Sequence, residues 1–287
     1  MLHRAKYVSI KNDGELDWRN FVVRFLKILL GTVEQFSPTK TYVYFDRGRS
    51  VHRREILESY KGNRVKDPDD PTEITYEKAR DFLHNKLPEL GIISILEDGI
   101  EADDFAFYIG HQYSPDVSGV HISDDKDWYL NLFPNWYLFR AKANDLTSWE
   151  DFCKMVGDDK NPRIIYLITR ALVGDKSDNI YGLRGFGWET AKKFAPKILY
   201  REDLGTSSKA KSINENMDTV RRNISVMDTS WVIRNKEVKD IVKISENNIK
   251  EISQPIITWN ALVKELGGDS ELMSFWTKYQ AVVRNNR

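Results

Sequence analysis

Acidic side chains recur in this chain just after apolar runs, and they are the residues best placed to do chemistry. The carboxylates that follow these runs are Asp46, Glu101, Asp103, Asp104, Asp125, Asp127, Asp175 and Asp178. In an open α/β sheet, ligands bind beyond the carboxyl ends of the strands. If the first three runs are parallel strands, the six carboxylates that follow them are expected to converge at one edge. Carboxylates so close together repel one another unless cations neutralise them. Mg²⁺ and Mn²⁺ are the ions that prefer carboxylate and water oxygens as ligands. The pattern favours a metal site and predicts phosphodiester hydrolysis as its chemistry.

Helix capping is the alternative explanation for each acid taken alone. A single Asp after a strand is usually a cap or a turn residue. Glu101 and Asp104 also stand three apart at a predicted helix start, where the helix dipole favours carboxylates. Caps account for two or three of the positions and do not readily account for all eight.

A basic segment follows the first of these acids. Residues 47–64 are rich in Arg and Lys, and Tyr60 stands beside Lys61. Arg and Lys contact phosphates and Tyr stacks on bases, so the segment is typical of nucleic-acid binding. A solvated basic helix followed by a turn at Gly62-Asn63 explains the same residues, and both interpretations stay open.

Closely spaced glycines form a third motif, at residues 182–193. Gly182, Gly185 and Gly187 precede a predicted helix, so backbone groups there can approach phosphates or a monovalent cation. Lys192 and Lys193 would add phosphate contacts. A glycine-rich turn is a weak signal alone, but this one follows Asp175 and Asp178 by a few residues.

The elements that must position these residues alternate in the first half of the chain. Strands are predicted at 41–45, 92–96, 119–123 and 136–140, and helices at 17–30 (ending at Gly31), 50–59, 73–87, 101–112 and 126–132. This alternation indicates an α/β fold with a mostly parallel sheet. The rest reads as helical at 147–156, 162–174, 188–195, 213–226, 258–266 and 270–283, with a mobile segment at 62–72 and an exposed loop at 205–212.

Composition narrows the class of protein. The 287 residues predict one large domain or one domain with a helical annex, and 41% are hydrophobic. Residues 1–66 hold 14 basic against 7 acidic residues, residues 67–130 hold 4 against 16, and the remainder holds 25 against 20. An acidic centre between basic ends fits a metal site between polyanion-binding surfaces.

Cys153 is the single cysteine, which excludes internal disulfides. No signal peptide or membrane span is expected from the sequence.

Together these motifs resemble the 5′-nuclease family of flap endonucleases and 5′→3′ exonucleases, most closely its bacteriophage and bacterial members. The matching segments, in the order typical of the family, are Phe45-Asp46, Tyr60-Lys61-Gly62-Asn63-Arg64, Gly99-Ile100-Glu101-Ala102-Asp103-Asp104, residues 123–127, residues 174–180 and the glycine turn. The C-terminal part of the chain carries no matching motif.

The resemblance implies a role for each of these residues. Asp46, Glu101, Asp103 and Asp104 would serve a first metal region, and Asp125, Asp127, Asp175 and Asp178 a second, with Asp125 shared. Lys61 and Arg64 would contact the scissile phosphate at the base of a helical arch over residues 62–88. Tyr60 would stack on a nucleotide, and further DNA contacts would come from Arg47, Arg53, Gly182, Gly185, Gly187, Lys192 and Lys193.

The implied fold is a mostly parallel sheet flanked by helices, as in PIN-like and 5′-nuclease cores, with the arch and a C-terminal helical region. Residues 1–145 would form the nuclease core, and residues 146–287 a helical domain with a helix–three-turn–helix element at 170–197. Two Mg²⁺ ions, replaceable by Mn²⁺, are the implied cofactors, with K⁺ at the turn. The implied partners are DNA with a 5′ flap, nick or gap, an RNA–DNA hybrid cut in a ribonuclease H-like way, and a replication polymerase or single-strand-binding protein in trans. A cytoplasmic, virus-encoded monomer without membrane association is expected.

One departure from the family concerns its first strand, which ends in Asp-Gly-x-Asn. In this sequence Met1 stands where that motif should just have ended. A misassigned start codon, a truncation and a protein that binds DNA junctions without cutting them are the three competing explanations. Loss of a central strand would leave backbone groups unpaired, so we expect low stability and weak activity of the chain as written. A PIN-like ribonuclease is a third functional class with the same acid-lined core.

Overall fold

Two compact units make up the part of the chain that can be described. The computed structural model describes residues 5–6, 9–10, 15–64, 67, 69–114, 116–249, 255–268 and 270–285. The first unit comprises Met1–Phe45, Lys66–Leu96 and Lys239–Arg287, and the second comprises Asp46–Val65 and Glu97–Val238. These units interleave along the sequence, whereas the predicted domains at 1–145 and 146–287 are consecutive and stay a prediction. None of the helices in the described ranges has the length and apolar character that crossing a membrane requires.

Helices dominate the described residues. They are α1 (Trp18–Phe36), α2 (Val51–Ile56), α3 (Pro71–Lys86), α4 (Ala102–Tyr113), α5 (Trp149–Val156), α6 (Pro162–Val173), α7 (Trp188–Leu199), α8 (Ser208–Glu215), α9 (Met217–Met227), α10 (Lys236–Asn247), α11 (Pro255–Glu265), α12 (Ser270–Ser274) and α13 (Trp276–Asn285). Short 3₁₀ helices cover Leu87–Leu90, Lys126–Asn131, Lys176–Asp178 and Ser230–Arg234. The strands are β1 (Tyr42–Arg47), β2 (Ile93–Asp98), β3 (Gly119–Ile122), β4 (Trp136–Arg140), β5 (Asp145–Thr147), β6 (Gly174–Asp175) and β7 (Ile180–Tyr181).

Strand pairing confirms the predicted α/β class. The Ile93 N–H donates to the Thr41 carbonyl at 2.9 Å and the Gly99 N–H to that of Arg47 at 3.3 Å, so β1 and β2 run in the same direction. Strand β3 pairs with β4 in parallel, and β5 adds to β4 antiparallel. Parallel pairs place the carboxyl ends of β1, β2 and β3 where the sequence sets acidic residues.

Helix α1 is the apolar centre of the first unit. Asp17 caps its start by accepting the N–H groups of Arg19 and Asn20, both at 3.1 Å. The predicted end at Gly31 is wrong, because the apolar stripe continues to the buried Val33 and the helix runs on to Phe36. A glycine inside a helix costs only about 1 kcal/mol relative to alanine, which burial of the following turn offsets.

Helix α3 packs into the core of the same unit. It begins after Asp70, whose side chain accepts the Thr72 N–H at 2.8 Å, and it buries Ala79 and Leu83 beside residues of α1. The predicted mobile segment at 62–72 includes residues 65, 66 and 68, which lie outside the described residues. The arch over residues 62–88 stays a prediction. Helix α3 lies within that range.

Three other sequence predictions in the second half of the chain need correction. The exposed loop predicted at 205–212 gives way to α8, because Ser207 caps it through the Ala210 N–H at 3.1 Å and Ile213 is buried. The single helix predicted at 213–226 is broken at Asn216, between α8 and α9. Helices α12 and α13 likewise divide the predicted helix at 270–283.

His121 is a buried neutral histidine in the second unit. Its ring lies between Trp128 and Trp136, with centroids at 5.6 and 4.7 Å, and its Nε2–H donates to the Asn131 carbonyl at 3.1 Å. Burial lowers the pKa of His121 to about 4, although the bond to Asn131 opposes the shift. The Asn131 side-chain amide donates in turn to the Asp103 carbonyl at 3.1 Å, so this histidine supports one acidic residue of interest.

We expect His121 to make the fold acid-sensitive. Its folded-state pKa lies below the usual value near 6.5, so its stabilisation is full above that pH and is lost as the pH falls towards 4. Between pH 7.5 and 5, the wild-type chain should lose about 2 kcal/mol more unfolding free energy than His121→Gln, which keeps a donor but does not titrate. Urea unfolding at the two pH values measures this, and equal losses in both proteins would contradict it.

Candidate metal centre

The second unit contains all eight acidic residues of the predicted site. Strand ends and helix starts position them: Asp46 stands in β1, Glu101 is the N-cap of α4, and Asp103 and Asp104 lie in the first turn of that helix. Asp125 caps the Lys126–Asn131 3₁₀ helix, which includes Asp127. Asp175 is the N-cap of the Lys176–Asp178 3₁₀ helix after α6, and Asp178 is the last residue of that helix.

Three of these acids form one compact group, here called the second carboxylate group: Asp127, Asp175 and Asp178. One carboxylate oxygen from each lies within 4.8 Å of the others. Their side chains are 30, 19 and 15% exposed, so water screens their repulsion only in part. Burial, opposed by Arg170 and reinforced by the neighbouring acids, raises the pKa of Asp127 to about 6. Three half-buried carboxylates at this spacing suit a divalent cation.

Arg170 is the base that holds two members of this group. Its Nη2 donates to the Asp175 carboxylate at 2.7 Å and also contacts Asp127. Because Arg170 stands on α6 and Asp175 follows that helix by two residues, the helix end sets their geometry. Asp127 and Asp175 share this one arginine, so the pair keeps a negative charge that a cation would offset, whereas Asp178 is held by other bases.

Asp125 stands apart from the second carboxylate group. It is exposed, and its Oδ1 accepts the backbone N–H of Asp127 at 3.0 Å. The contact fixes the turn that presents Asp127. Its proposed role as a metal ligand shared by both regions stays a prediction.

The first carboxylate group comprises Glu101, Asp103 and Asp104, and it surrounds Arg53. The guanidinium lies 2.9 Å from Glu101, 3.1 Å from Asp103 and 2.9 Å from Asp104. Arg53 is 2% exposed. The prediction that Arg53 contacts DNA is therefore wrong, because its charge is used inside the protein to neutralise buried carboxylates.

One oxygen of this group is left without a hydrogen bond. Within the described ranges, Asp103 Oδ1 is buried and has no partner. A buried carboxylate oxygen without a donor is costly, and a cation is the ligand that would satisfy it. Asp46 reaches the same helix start, since its Oδ1 accepts the Ala102 N–H at 2.8 Å.

Lys61 connects the two carboxylate groups. Its Nζ lies 2.8 Å from Glu101 Oε2 and 3.9 Å from Asp178 Oδ2. Its backbone N–H donates to the Asp178 carbonyl at 2.9 Å, and its φ of 51° is a left-handed conformation unusual for lysine. Arg64 donates to the other Asp178 oxygen at 2.5 Å. The basic residues predicted at the scissile phosphate therefore stand between the acidic ones.

Tyr60 occupies a different place from the one expected. Its ring is 3% exposed, and its hydroxyl donates to Glu101 at 2.9 Å or to Asp178 at 3.3 Å. The expectation that this ring stacks on a nucleotide is wrong for this conformation, because the ring packs in the core and has no open face. Arg47 is half-buried at the end of β1.

The glycine turn lies directly against the end of α6. A Cβ on Gly182 would stand 2.2 Å from the Val173 carbonyl carbon, and one on Gly174 would stand 2.2 Å from the Gly182 nitrogen. Only glycine fits at these two positions, which close the β6–β7 hairpin that bears Asp175 and Asp178. Gly185 and Gly187 are exposed, and Gly187 is the N-cap of α7.

Lysines near this turn differ in what they contact. Lys192 is half-buried and its Nζ donates to the Met155 carbonyl, whereas Lys193 is exposed. Lys209 Nζ donates to the Gly185 carbonyl at 2.8 Å and to that of Arg184 at 3.3 Å. The sequence did not single out Lys209, which reaches the turn from α8.

Comparison with known proteins decides the family. Residues 1–155 match the family model described as the 5′-3′ exonuclease, N-terminal resolvase-like domain. The chain belongs to this family. A 5′-3′ exonuclease of Aquifex aeolicus (strain VF5) is 31% identical over 187 residues, which are 64% of this chain and 62% of that protein. The match thus spans less than two thirds of this relative's length.

Solved structures establish the fold of this exonuclease family member. T5 5′-exonuclease with bound zinc ions superposes with a TM-score of 0.70 and 20% identity, over 86% of this chain and 96% of that one. The bacteriophage T5 flap endonuclease in a complex with DNA and metal ions gives a TM-score of 0.65 and 20% identity, over 80 and 92%. The predicted 5′-nuclease fold is confirmed.

Sequence reasoning missed Arg170 in this 5′-3′ exonuclease family member, although a signal was present. Arg170 is the single charged residue between Ile164 and Val173, a run that is otherwise apolar apart from Thr169. A base inside an apolar run, a few residues before a candidate metal ligand, predicts a buried ion pair. Arg53 carried no such signal, because it stands in a run of bases.

Divalent cations should stabilise the chain through the second carboxylate group. A ligand at 100 times its dissociation constant adds about 2.7 kcal/mol to the unfolding free energy, so Mn²⁺ should raise Tm by several degrees. Asp127→Asn should remove most of this increase. Asp218→Asn is the matched control, because that side chain is 98% exposed on α9 and lies outside the group. Thermal unfolding across a Mn²⁺ titration measures the effect, and an undiminished increase in Asp127→Asn would contradict the assignment.

Proposed function

We propose that this chain is a metal-dependent, structure-specific 5′-nuclease that hydrolyses phosphodiester bonds of DNA. The observation that carries the proposal is the position of Lys61, with its ammonium between the first and second carboxylate groups. Two acidic groups with a base between them suit a phosphate group that is held by cations on one side and a fixed ammonium on the other. Membership of the 5′-3′ exonuclease family supports the same reaction.

Metal binding would divide between the two groups. Asp46 and Asp103 would hold a first Mg²⁺, since Asp103 Oδ1 lacks a donor among the described residues. Glu101 would join them through Oε1, which accepts the Ser50 N–H, because its Oε2 already accepts from Arg53 and Tyr60 and contacts Lys61. Asp127, Asp175 and Asp178 would hold a second, with Asp125 beside them. Bound divalent cations lower the pKa of water and neutralise charge on the phosphate, and Mn²⁺ would substitute for Mg²⁺. The products would be a 5′-phosphate and a 3′-hydroxyl.

Lys61 would act on the phosphate directly. Burial lowers its pKa, but Glu101 and Asp178 outweigh burial, so the pKa stands above its ordinary value and the ammonium stays charged. Its side chain is 16% exposed, which leaves it reachable by a substrate oxygen. A donor already in place when charge develops stabilises the transition state without reorganisation. Arg64, 53% exposed, would assist from the substrate side.

The glycine turn would bind the duplex backbone without reading sequence. Gly185 and Gly187 expose the backbone before α7, Gly182 packs the turn against α6, and Lys193 adds an exposed charge. The resemblance implies K⁺ at this turn. At the Arg184 and Gly185 carbonyls the ammonium of Lys209 supplies positive charge, so K⁺ would bind through other carbonyl groups of the turn.

Substrates with a 5′ end at a junction fit this proposal best. Flaps, nicks, gaps and RNA primers on DNA are the candidates, and a replication polymerase or single-strand-binding protein would act with this monomer in trans. The test is cleavage of a 5′-labelled flap in Mg²⁺, Mn²⁺ and EDTA, beside a binding assay in Ca²⁺. Cleavage near the flap base that EDTA abolishes is the expected result. Binding without cleavage would favour the non-catalytic junction-binding protein, and cleavage of single-stranded RNA alone would favour the PIN-like ribonuclease.

Lys61→Ala should lower turnover far more than duplex affinity. Loss of one preorganised donor to the reacting phosphate costs about 10²–10³-fold in rate, whereas the DNA dissociation constant should change by less than about threefold. Single-turnover cleavage and binding in Ca²⁺ separate the two quantities. Lys154→Ala is the control, because that side chain is 79% exposed on α5. Weaker binding with unchanged turnover would assign Lys61 to substrate capture instead.

A further inference from the structure

Arg53 is a buried base that the proposed mechanism does not use. We propose that Arg53 is a positioning residue that holds Glu101 and Asp103 in place, and that Asp104 serves as its counterion rather than as a metal ligand. We infer further that the segment Met217–Arg234 anchors this arrangement. The inference rests on the proposed function only in taking Glu101 and Asp103 as metal ligands.

Every N–H group of the Arg53 guanidinium has an acceptor. Nη1 donates to Glu101 and Asp104, both at 2.9 Å, and Nη2 donates to Asp103 at 3.1 Å and Asp104 at 2.9 Å. Nε donates to the Val226 carbonyl at 3.1 Å. A planar fork with five donors in fixed directions sets the orientation of three carboxylates at once, which a lysine ammonium cannot do.

Asp104 has no lone pair left for a cation. Its Oδ1 accepts Arg53 Nη2 at 2.9 Å and the Trp231 indole N–H at 3.1 Å. Its Oδ2 accepts Arg53 Nη1 at 2.9 Å and the Glu101 backbone N–H at 3.2 Å. The residue is fully buried, and four donors match the four acceptor sites of a carboxylate.

Asp103, the neighbouring residue, has the opposite environment. Its Oδ2 accepts a single bond from Arg53, and its Oδ1 is buried without a partner in the described part of the chain. The same guanidinium therefore saturates one carboxylate and leaves half of the next one open. Two adjacent aspartates in one helix turn are thereby assigned to different tasks.

The anchor of Arg53 lies far along the sequence. Val226 lies in the last turn of α9 and Trp231 stands in the following 3₁₀ helix, both outside residues 1–155 that the family model covers. Trp231 also stacks on His52, with ring centroids 4.4 Å apart, so it contacts the helix of Arg53 as well as Asp104. The C-terminal helical region thus completes a site whose ligands come from the first half of the chain.

The adjacent aspartates provide the first test, with identical substitutions. In EDTA, Asp104→Asn should lower Tm by several degrees, because it breaks a saturated buried network. Asp103→Asn should leave Tm unchanged or raise it, because it neutralises an unsatisfied oxygen. Mn²⁺ affinity, measured by electron paramagnetic resonance on DNA-free protein, should fall at least tenfold in Asp103→Asn and much less in Asp104→Asn. The inference would be overturned if the variant with the lower Tm were also the variant with the lower Mn²⁺ affinity.

A double variant separates positioning from stability. Arg53→Met alone leaves buried carboxylates unpaired, whereas Arg53→Met with Asp104→Leu removes both charges of the pair. The double variant should regain most of the Tm that Arg53→Met loses but keep a Mn²⁺ affinity at least tenfold below wild type. Recovery of both quantities would show that Arg53 serves stability alone. Arg53→Lys, which keeps the charge without the fork, should not restore Mn²⁺ binding.

The anchoring segment has its own matched pair. Trp231→Phe keeps the ring and loses the N–H that Asp104 accepts, so Mn²⁺ affinity should fall several-fold. Trp149→Phe, on α5 in the same unit, should leave the affinity unchanged. Equal affinities in the two variants would remove Met217–Arg234 from the proposal. All of these readouts use protein without DNA, so absence of flap cleavage would count against the proposed function and leave this inference standing.

Discussion

Mutual repulsion among carboxylates is the constraint on which the second unit depends. Eight acids are drawn to the ends of strands and the starts of helices, and six of them fall into two groups that water only partly screens. Three bases hold them: Arg53 in the first group, Arg170 in the second, and Lys61 between the groups. Each of these bases contacts at least two carboxylates, so side chains of the protein itself fix much of the arrangement of the acids. Organisation in advance of binding is what makes electrostatic stabilisation effective.

The bases stand on different elements from the acids that they hold. Arg53 and Arg170 stand on helices, and Lys61 stands in a turn with a left-handed backbone that its N–H bond to the Asp178 carbonyl helps to hold. A backbone held away from its preferred conformation is common where geometry serves a site. The acids therefore supply the ligands of the centre, and the packing of helices against the turns supplies the bases that hold those ligands in place.

The acids could be predicted from the sequence because apolar runs of strand length, and the acids that follow them, are local signals. Apolar runs of strand length predicted strands, one of them, Trp136–Arg140, with its observed limits. Parallel pairing of β1 with β2 and of β3 with β4 then placed acidic residues beyond the carboxyl ends of the strands. Burial of a charged side chain is a property of the whole fold, so Arg53 looked like a DNA contact and Tyr60 like a stacking platform. Helix ends failed for a related reason: Gly31 has open space where a Cβ would stand, and tertiary packing carried α1 past it.

The glycine pair at the base of the β6–β7 hairpin restricts how this protein can vary. Gly174 and Gly182 touch backbone to backbone, so the loop between them has a fixed span as well as a fixed sequence at both ends. An insertion in this loop would move Asp175 and Asp178 relative to Arg170, and a side chain at either glycine would force the strands apart. We therefore expect substitutions at exposed residues of the loop, such as Lys176, to be tolerated, and changes in its length to disturb the site. The close contact of the two glycines thus fixes the spacing between the acidic centre and the turn before α7, whatever side chains the loop carries.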